Sequence, residues 1–242
     1  MSIAESSIAE NLERLHQQIS TACRLANRPE SEVSLMAVSK VHPVEVILEA
    51  YAAGQRLFGE NRVQEFAEKS AALGQLTEGE YHLIGPLQSN KSTRAAELFH
   101  SIDTVDSLKL AQRLNIAAQA LHKTLPILIE VKLSHEESKH GIAPDELPAL
   151  LNAIAELPNI RVSGLMTVPP WPDDPTDGGE SARPYFRQLR TLRDEQQKLH
   201  STLTQLSIGM SNDFRVAIEE GSTCIRVGTA LFGKRIFAPT VL

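Results

Sequence analysis

Little in this sequence invites a disulfide framework, a metal cluster or a membrane span. Only two of the 242 residues are cysteines, Cys23 and Cys224, too few for a disulfide-built fold and without the paired spacing of a zinc site. A reducing, cytoplasmic setting is expected. There is no HExxH, no CxxC and no run of carboxylates that would hold a metal. No apolar stretch approaches the ~20 residues of a spanning helix. The opening MSIAESSIAE carries acidic residues where an export signal needs a basic start and an apolar run, so neither secretion nor membrane insertion is expected. Charge leans acidic, with 24 Lys+Arg against 30 Asp+Glu and a net charge of −6. No basic strip could track a phosphate backbone, which argues against a nucleic-acid partner.

What is present is a regular alternation. Ile8, Leu12, Leu15, Ile19 and Cys23 recur every three or four residues behind a Ser7-x-x-Glu10 capping signature, so the chain opens with a helix inside residues 1–28, closed by Pro29. Short apolar segments follow at Val33–Val38, Leu57–Phe58, Tyr81–Ile84, His100–Asp103, Pro126–Val131, Val162–Met166, Gln205–Ile208 and Cys224–Val227. Amphipathic stretches of helical period separate them, among them Val44–Ala53, Val63–Leu73, Ser107–Leu121, Ala143–Ala155 and Phe186–Leu199. Eight strand–helix units predict an α/β fold, a single (β/α)8 barrel preceded by an extra helix, and barrels of roughly 250 residues ordinarily form one domain. An open doubly wound sheet is the rival, because periodicity does not say whether the edge strands meet. Residues 169–184, PPWPDDPTDGGESARP, break the rhythm and read as a loop insertion after the sixth strand, either a lid or a passive surface feature. Residues 234–242 form a short C-terminal extension.

Lys40 ends the first strand. Ser34, Met36, Val38 and Lys40 share one parity, so the lysine is expected on the barrel's inner side. Desolvation there disfavours the ammonium and leaves more free amine to condense with an aldehyde, while a lysine that snorkels into water is the plainer alternative. Gly209–Asp213 and Gly228–Thr229 follow the seventh and eighth strands, where this fold commonly holds phosphate. Ordinary helix capping by Ser211, Asn212 or Thr229 would explain either turn alone. Arg226 shares its direction with Cys224 and Gly228 and either points at the same ligand or pairs with an acid. Asn61 follows the second strand and His82 lies on the third. They read as mouth residues, or as a helix cap and a satisfied core histidine. Gly85–Lys91 reads either as a phosphate loop or as a turn capped by Ser89 or Asn90.

Taken together, AVSK at 37–40, FGEN-x-VQE at 58–65, H-x-IGPLQSNK at 82–91, SKHGI at 138–142, GLM at 164–166, IGMSND at 208–213 and RVGTALFG at 226–233 resemble the pyridoxal phosphate homeostasis protein family over nearly the whole chain. The resemblance implies a barrel like the N-terminal domain of alanine racemases, with pyridoxal 5′-phosphate (PLP) as cofactor and Lys40 as its Schiff-base lysine. It sets the cofactor phosphate against Ser211, Gly228 and Thr229, the ring nitrogen against Arg226, and Asn61, His82 and Met166 around the ring. It further implies a monomer concerned with vitamin B6 and amino-acid or keto-acid balance, without a well-defined reaction of its own, that meets PLP-dependent apoenzymes only transiently. The likeness to alanine racemases leaves a slow PLP-dependent racemase or lyase open, and the barrel lysine leaves an aldolase without coenzyme. A racemase needs acid and base groups on both faces of the substrate carbon, and alanine racemases take one from a tyrosine in an added domain. The only tyrosines here are Tyr51, Tyr81 and Tyr185.

Overall fold

In the computed structural model, which describes residues 6–233 except 75, 135, 137–139, 173 and 175, eight parallel strands close on themselves in sequential order. They are β1 (Ser34–Val38), β2 (Leu57–Glu60), β3 (Glu80–Leu83), β4 (Ser101–Val105), β5 (Leu125–Glu130), β6 (Ile160–Met166), β7 (Gln205–Met210) and β8 (Cys224–Val227). Closure is carried by β1 against β8, where Ser34 pairs with Cys224 and Met36 with Arg226. That ladder removes both sheet edges and with them the open-sheet alternative.

The helices are α1 (Ile8–Leu25), α2 (Val44–Ala52), α3 (Val63–Leu73), α4 (Ser92–Leu98), α5 (Leu108–Ala120), α6 (Leu147–Ala155), α7 (Arg183–Gln197), α8 (Phe214–Glu219) and α9 (Thr229–Phe232). Alternate strand residues such as Leu35, Ala37, Phe58, Leu83, Ile102, Ile127, Ile129, Leu165, Ile208 and Ile225 are buried against this helical layer. Their strand partners of opposite parity line the barrel interior.

At α1 the expected capping box forms in both directions, Ser7 accepting from Glu10 N and Glu10 accepting from Ser7 N. The helix ends at Leu25, short of Pro29. Its buried stripe lies beside α8 and α9. Asn11 donates to Leu231 O at 2.9 Å and Arg28 donates to Ile218 O and Ser222 O, both at 2.8 Å. The extra helix therefore braces the last two helices, and with them the turns that follow β7 and β8.

The loop after β6 is shorter than its proline and glycine content predicts. Arg183 and Pro184 open α7, because proline fits the first turn of a helix, where its missing N–H leaves no bond unmade. Similarly α6 starts at Leu147 rather than Ala143, with Pro148 in its first turn. Within the loop Trp171 is 74% exposed. Residues 234–242, the C-terminal extension, lie outside the described residues, as do Ser138 and Lys139 of the SKHGI segment.

Candidate functional site

The register gathers the sequence-predicted residues at the carboxyl ends of the strands. Lys40 lies two residues past Val38, half-buried. Val38 in turn abuts Gly228, where an added Cβ would sit 3.6 Å from the Val38 Cβ. Lys40 and Thr229 thus emerge from neighbouring strands. On the other side Val38 pairs with Gly59 and Gly59 with His82, which brings the ends of β2 and β3, including Asn61, alongside. Gly85 lies directly on Asn61, since an added Cβ would stand 2.3 Å from Asn61 O and 2.8 Å from its Cα. Any side chain there would displace the Asn61 backbone. Met166 ends β6, is 1% exposed, and pairs with Ser207.

Arg226 is buried in the barrel interior. Its Nη1 donates to Ser207 O and, at 2.8 Å, to Ser207 Oγ, while Nη2 donates to Thr167 O at 2.9 Å. Among the described residues no carboxylate pairs with it, so the salt bridge considered from sequence does not form. Burial draws the guanidinium below its ordinary value, opposed by the negative charges of Asp213, Asp103 and Glu130, and an arginine in a protein keeps its proton. This is a desolvated cation whose hydrogen-bond partners among the described residues are neutral oxygens, an arrangement that favours an additional electron-rich partner.

His82 is paired. Its Nδ1 lies 3.0 Å from Asp103 Oδ2, and Ser101 Oγ donates to Asp103 Oδ1 at 2.6 Å. Burial opposes charge on the imidazole, but the Asp103 charge and hydrogen bond outweigh it, and the His82 pKa is raised. The nearby Cys224 thiol is pushed up to about 12 by burial and by Asp103, which keeps it protonated and unreactive.

The two turns expected to hold phosphate meet each other. Ser211 does not cap α8. Its Oγ accepts from Ala230 N, in the first turn of α9, at 3.4 Å. The N-cap of α8 is Asp213 and that of α9 is Gly228, neither making a side-chain cap bond to its helix. Asp213 instead accepts from Met210 N and ties the turn shut. Burial raises its pKa, against the Met210 hydrogen bond and the Arg226 charge. The loop from β6 presses on the same turn. Gly179, at φ +92°, has no room for a side chain, as an added Cβ would lie 2.6 Å from both Asp213 Cα and Cβ. Beyond it Arg183 bridges to Glu219 and Glu220 of the α8 end.

The alternatives of helix capping fail at two other places. Asn61 is not the cap of α3, which begins after Arg62, and α4 begins after Lys91 rather than at Ser89 or Asn90.

Sequence reasoning missed what lies behind Lys40. Ser39 and Glu60 are wholly buried, facing α3. Ser39 Oγ donates to Glu60 Oε1 at 2.8 Å, and Lys69 Nζ reaches Glu60 Oε1 at 3.2 Å and Glu65 Oε1 at 2.8 Å. Burial lifts the Glu60 pKa, countered by the Lys69 charge and by hydrogen bonds from Ser39 and Lys69. Glu65 is also partly desolvated, but hydrogen bonds from Lys69 and Val41 N, with the charges of Lys69 and Arg62, hold it below the usual carboxylate range. The available signal was an acid on a strand that is otherwise apolar, which requires a buried partner.

No helix among the described residues is long and apolar enough to cross a membrane, and they contain no metal-holding group of three or more His, Cys, Asp or Glu.

The chain is similar to known proteins over most of its length. Residues 10–235 match the family described as alanine racemase, N-terminal domain. The pyridoxal phosphate homeostasis protein of Aquifex aeolicus is 45% identical over 227 residues, covering 93% of this chain and 97% of that protein. The solved structure of PipY from Synechococcus elongatus with PLP bound is 42% identical, with a TM-score of 0.82, and covers 93% of this chain and 100% of its own. An alanine racemase from Clostridium difficile, 16% identical, superposes with a TM-score of 0.69 over 92% of this chain and 57% of its own, a likeness of fold alone.

Proposed function

The chain belongs to the pyridoxal phosphate homeostasis protein family, and on that footing we propose that it holds PLP at the carboxyl ends of the barrel strands, linked covalently to the Lys40 amine, for buffering or delivery of the coenzyme. The observation that carries this reading is Arg226. A buried guanidinium whose described partners are all neutral oxygens suits the nitrogen of a pyridine ring, to which it donates without giving up its proton. The other donors fit the same molecule. Ser211 and Thr229 offer hydroxyls, and Gly228 brings backbone close enough to serve an anionic phosphate. Asn61, His82 and Met166 provide polar and apolar surface for the ring.

When bound, PLP supplies an aldehyde that condenses with a primary amine and a ring that withdraws electrons from the bond formed. The protein's part is to present Lys40 to that aldehyde, grip the phosphate at the joined turns, and set the ring's electronics. Arg226 opposes protonation of the ring nitrogen, which weakens the ring as an electron sink and suits holding over turnover. The tyrosines support the same emphasis. Tyr81 faces the helical layer, stacked 5.5 Å from Phe58, Tyr51 lies on α2 against Arg56, and Tyr185 lies on α7. None follows the carboxyl end of a strand. The reading takes the protein as a cytoplasmic monomer that meets apoenzymes transiently, with no membrane or nucleic-acid partner.

Reductive trapping with borohydride tests the assignment. Mass spectrometry of the digested protein should find one PLP adduct, on Lys40, and Lys40→Ala should lose both the adduct and the yellow colour. In a separate assay, unreduced PLP-loaded protein incubated with a PLP-dependent apoenzyme should restore that enzyme's activity at a rate above that set by free PLP. An adduct on another side chain, or colour that survives Lys40→Ala, overturns the reading.

A further inference from the structure

The two peptide groups flanking the Lys40 Cα are bound to one charged cluster. On the N-terminal side Ser39 O accepts from Lys69 Nζ at 3.4 Å, and Ser39 Oγ donates to Glu60. On the C-terminal side Val41 N donates to Glu65 Oε1 at 2.6 Å. Lys69 joins the halves by contacting both Glu60 and Glu65. Val41 itself stands at φ +62°, a left-handed conformation in which a β-branched residue is a genuine outlier. Its side chain is 56% exposed, so packing does not impose the strain. A backbone bond from His42 N to Ser39 O at 3.1 Å closes a turn that sets Val41 in this conformation, and the Glu65 bond fixes the Val41 peptide within that turn.

A buried Lys–Glu pair contributes little net stability, because desolvation offsets its attraction. Strained backbone persists where the surroundings over-determine it, typically next to functional groups. Both features meet at the residue read above as the coenzyme lysine. We propose that Lys69, Glu60 and Glu65 are positioning residues for Lys40. Acting through Ser39 and Val41, they hold the backbone conformation from which the amine meets an aldehyde at the barrel mouth. The cluster lies on the outer side of the strand wall, between β1, β2 and α3, and so directs the lysine without touching the coenzyme. The inference rests on the reading of Lys40 as the coenzyme lysine.

The test is the rate at which full-length apoprotein captures added PLP, followed by the visible absorbance that grows as the Lys40 amine condenses with the aldehyde and water leaves. Glu65→Gln keeps the shape but weakens the hold on Val41, and should slow capture about tenfold with little change in Tm. Val41→Gly removes the strain, since glycine adopts left-handed backbone freely. In the Val41→Gly background Glu65→Gln should therefore slow capture by less than about threefold, the two changes failing to add because they act on one element. An independent variant, Lys69→Met with Glu60→Gln, removes the buried pair as neutral side chains and should also slow capture.

Equal slowing by Glu65→Gln in both backgrounds, or unchanged capture in the Lys69→Met/Glu60→Gln protein, overturns the proposal while leaving Lys40 as the coenzyme lysine. A wild-type adduct on any other residue overturns both.

Discussion

His82 Nδ1 lies 3.0 Å from Asp103 Oδ2, inside a barrel where Asp103 is only 1% exposed. An imidazole buried alone would be neutral. Beside this carboxylate its pKa is raised instead, and the pair becomes a source of pH-dependent stability. A folded-state pKa above the unfolded value gives a contribution fully present below the ordinary histidine value of about 6.5 and lost as pH rises through the folded value. Denaturant titrations should show this stabilisation fading on the alkaline side of the ordinary value. In Asp103→Asn the His82 resonance followed by NMR should titrate lower, and the fading should vanish. A His82 titration unmoved by the substitution would refute the coupling.

Removing Lys69 alone strands Glu60, which is wholly buried. Lys69→Met should therefore cost about 3–5 kcal/mol, the usual penalty for breaking one side of a buried pair. Adding Glu60→Gln should recover most of it. Chemical denaturation of the single and double variants decides the matter, and equal stability of the two would mean that Glu60 is already neutral.

Arg226 presents the opposite balance. Because no carboxylate among the described residues pairs with it, Arg226→Met should leave apoprotein stability within about 1–2 kcal/mol, as the relief of a buried charge offsets lost hydrogen bonds. PLP affinity should fall at least about tenfold, or 1.4 kcal/mol. Equilibrium titration with PLP and thermal melts of the apoprotein together separate the two roles. A large loss of apoprotein stability with unchanged affinity would make Arg226 a structural residue.

Two adjacent glycines in the loop after β6 offer a built-in control. Gly178 stands at φ +69° with nothing within 4 Å of an added Cβ, whereas at Gly179 that atom would strike Asp213. Gly178→Ala should carry only the left-handed penalty of roughly 1–2 kcal/mol. Gly179→Ala should lift the loop from the Ser211–Asp213 turn, exposing it to limited proteolysis and speeding PLP release several-fold more than its neighbour does. Equal effects of the two substitutions would show that the contact with Asp213 is immaterial.

How much of this was legible before the structure depends on distance along the chain. Alternation within single strands brought Met36, Val38, Arg226 and Gly228 to the right side of the wall, and eight repeats of strand and helix were enough for a barrel. Closure itself depends on the β1–β8 ladder, between segments some 190 residues apart, which no local pattern specifies. The same limit hid the Ser39–Glu60–Lys69 cluster, because residues of outward parity read as ordinary core until an opposing helix is in place. For Ser211 the local pattern offers a phosphate contact or a helix cap, and neither anticipates that it accepts from Ala230 N across two turns. The loop at 169–184 signalled a break in rhythm, but its seat on Asp213 through Gly179 is a matter of tertiary fit.

Strand β1 keeps its two faces apart. Met36 and Val38 belong to the lining, while Leu35, Ala37 and Ser39 belong to the packing behind it. That separation makes the cup open to redesign: the lining can be recast to admit a bulkier or differently charged guest, while the machinery that aims the lysine stays untouched on the far side of the wall.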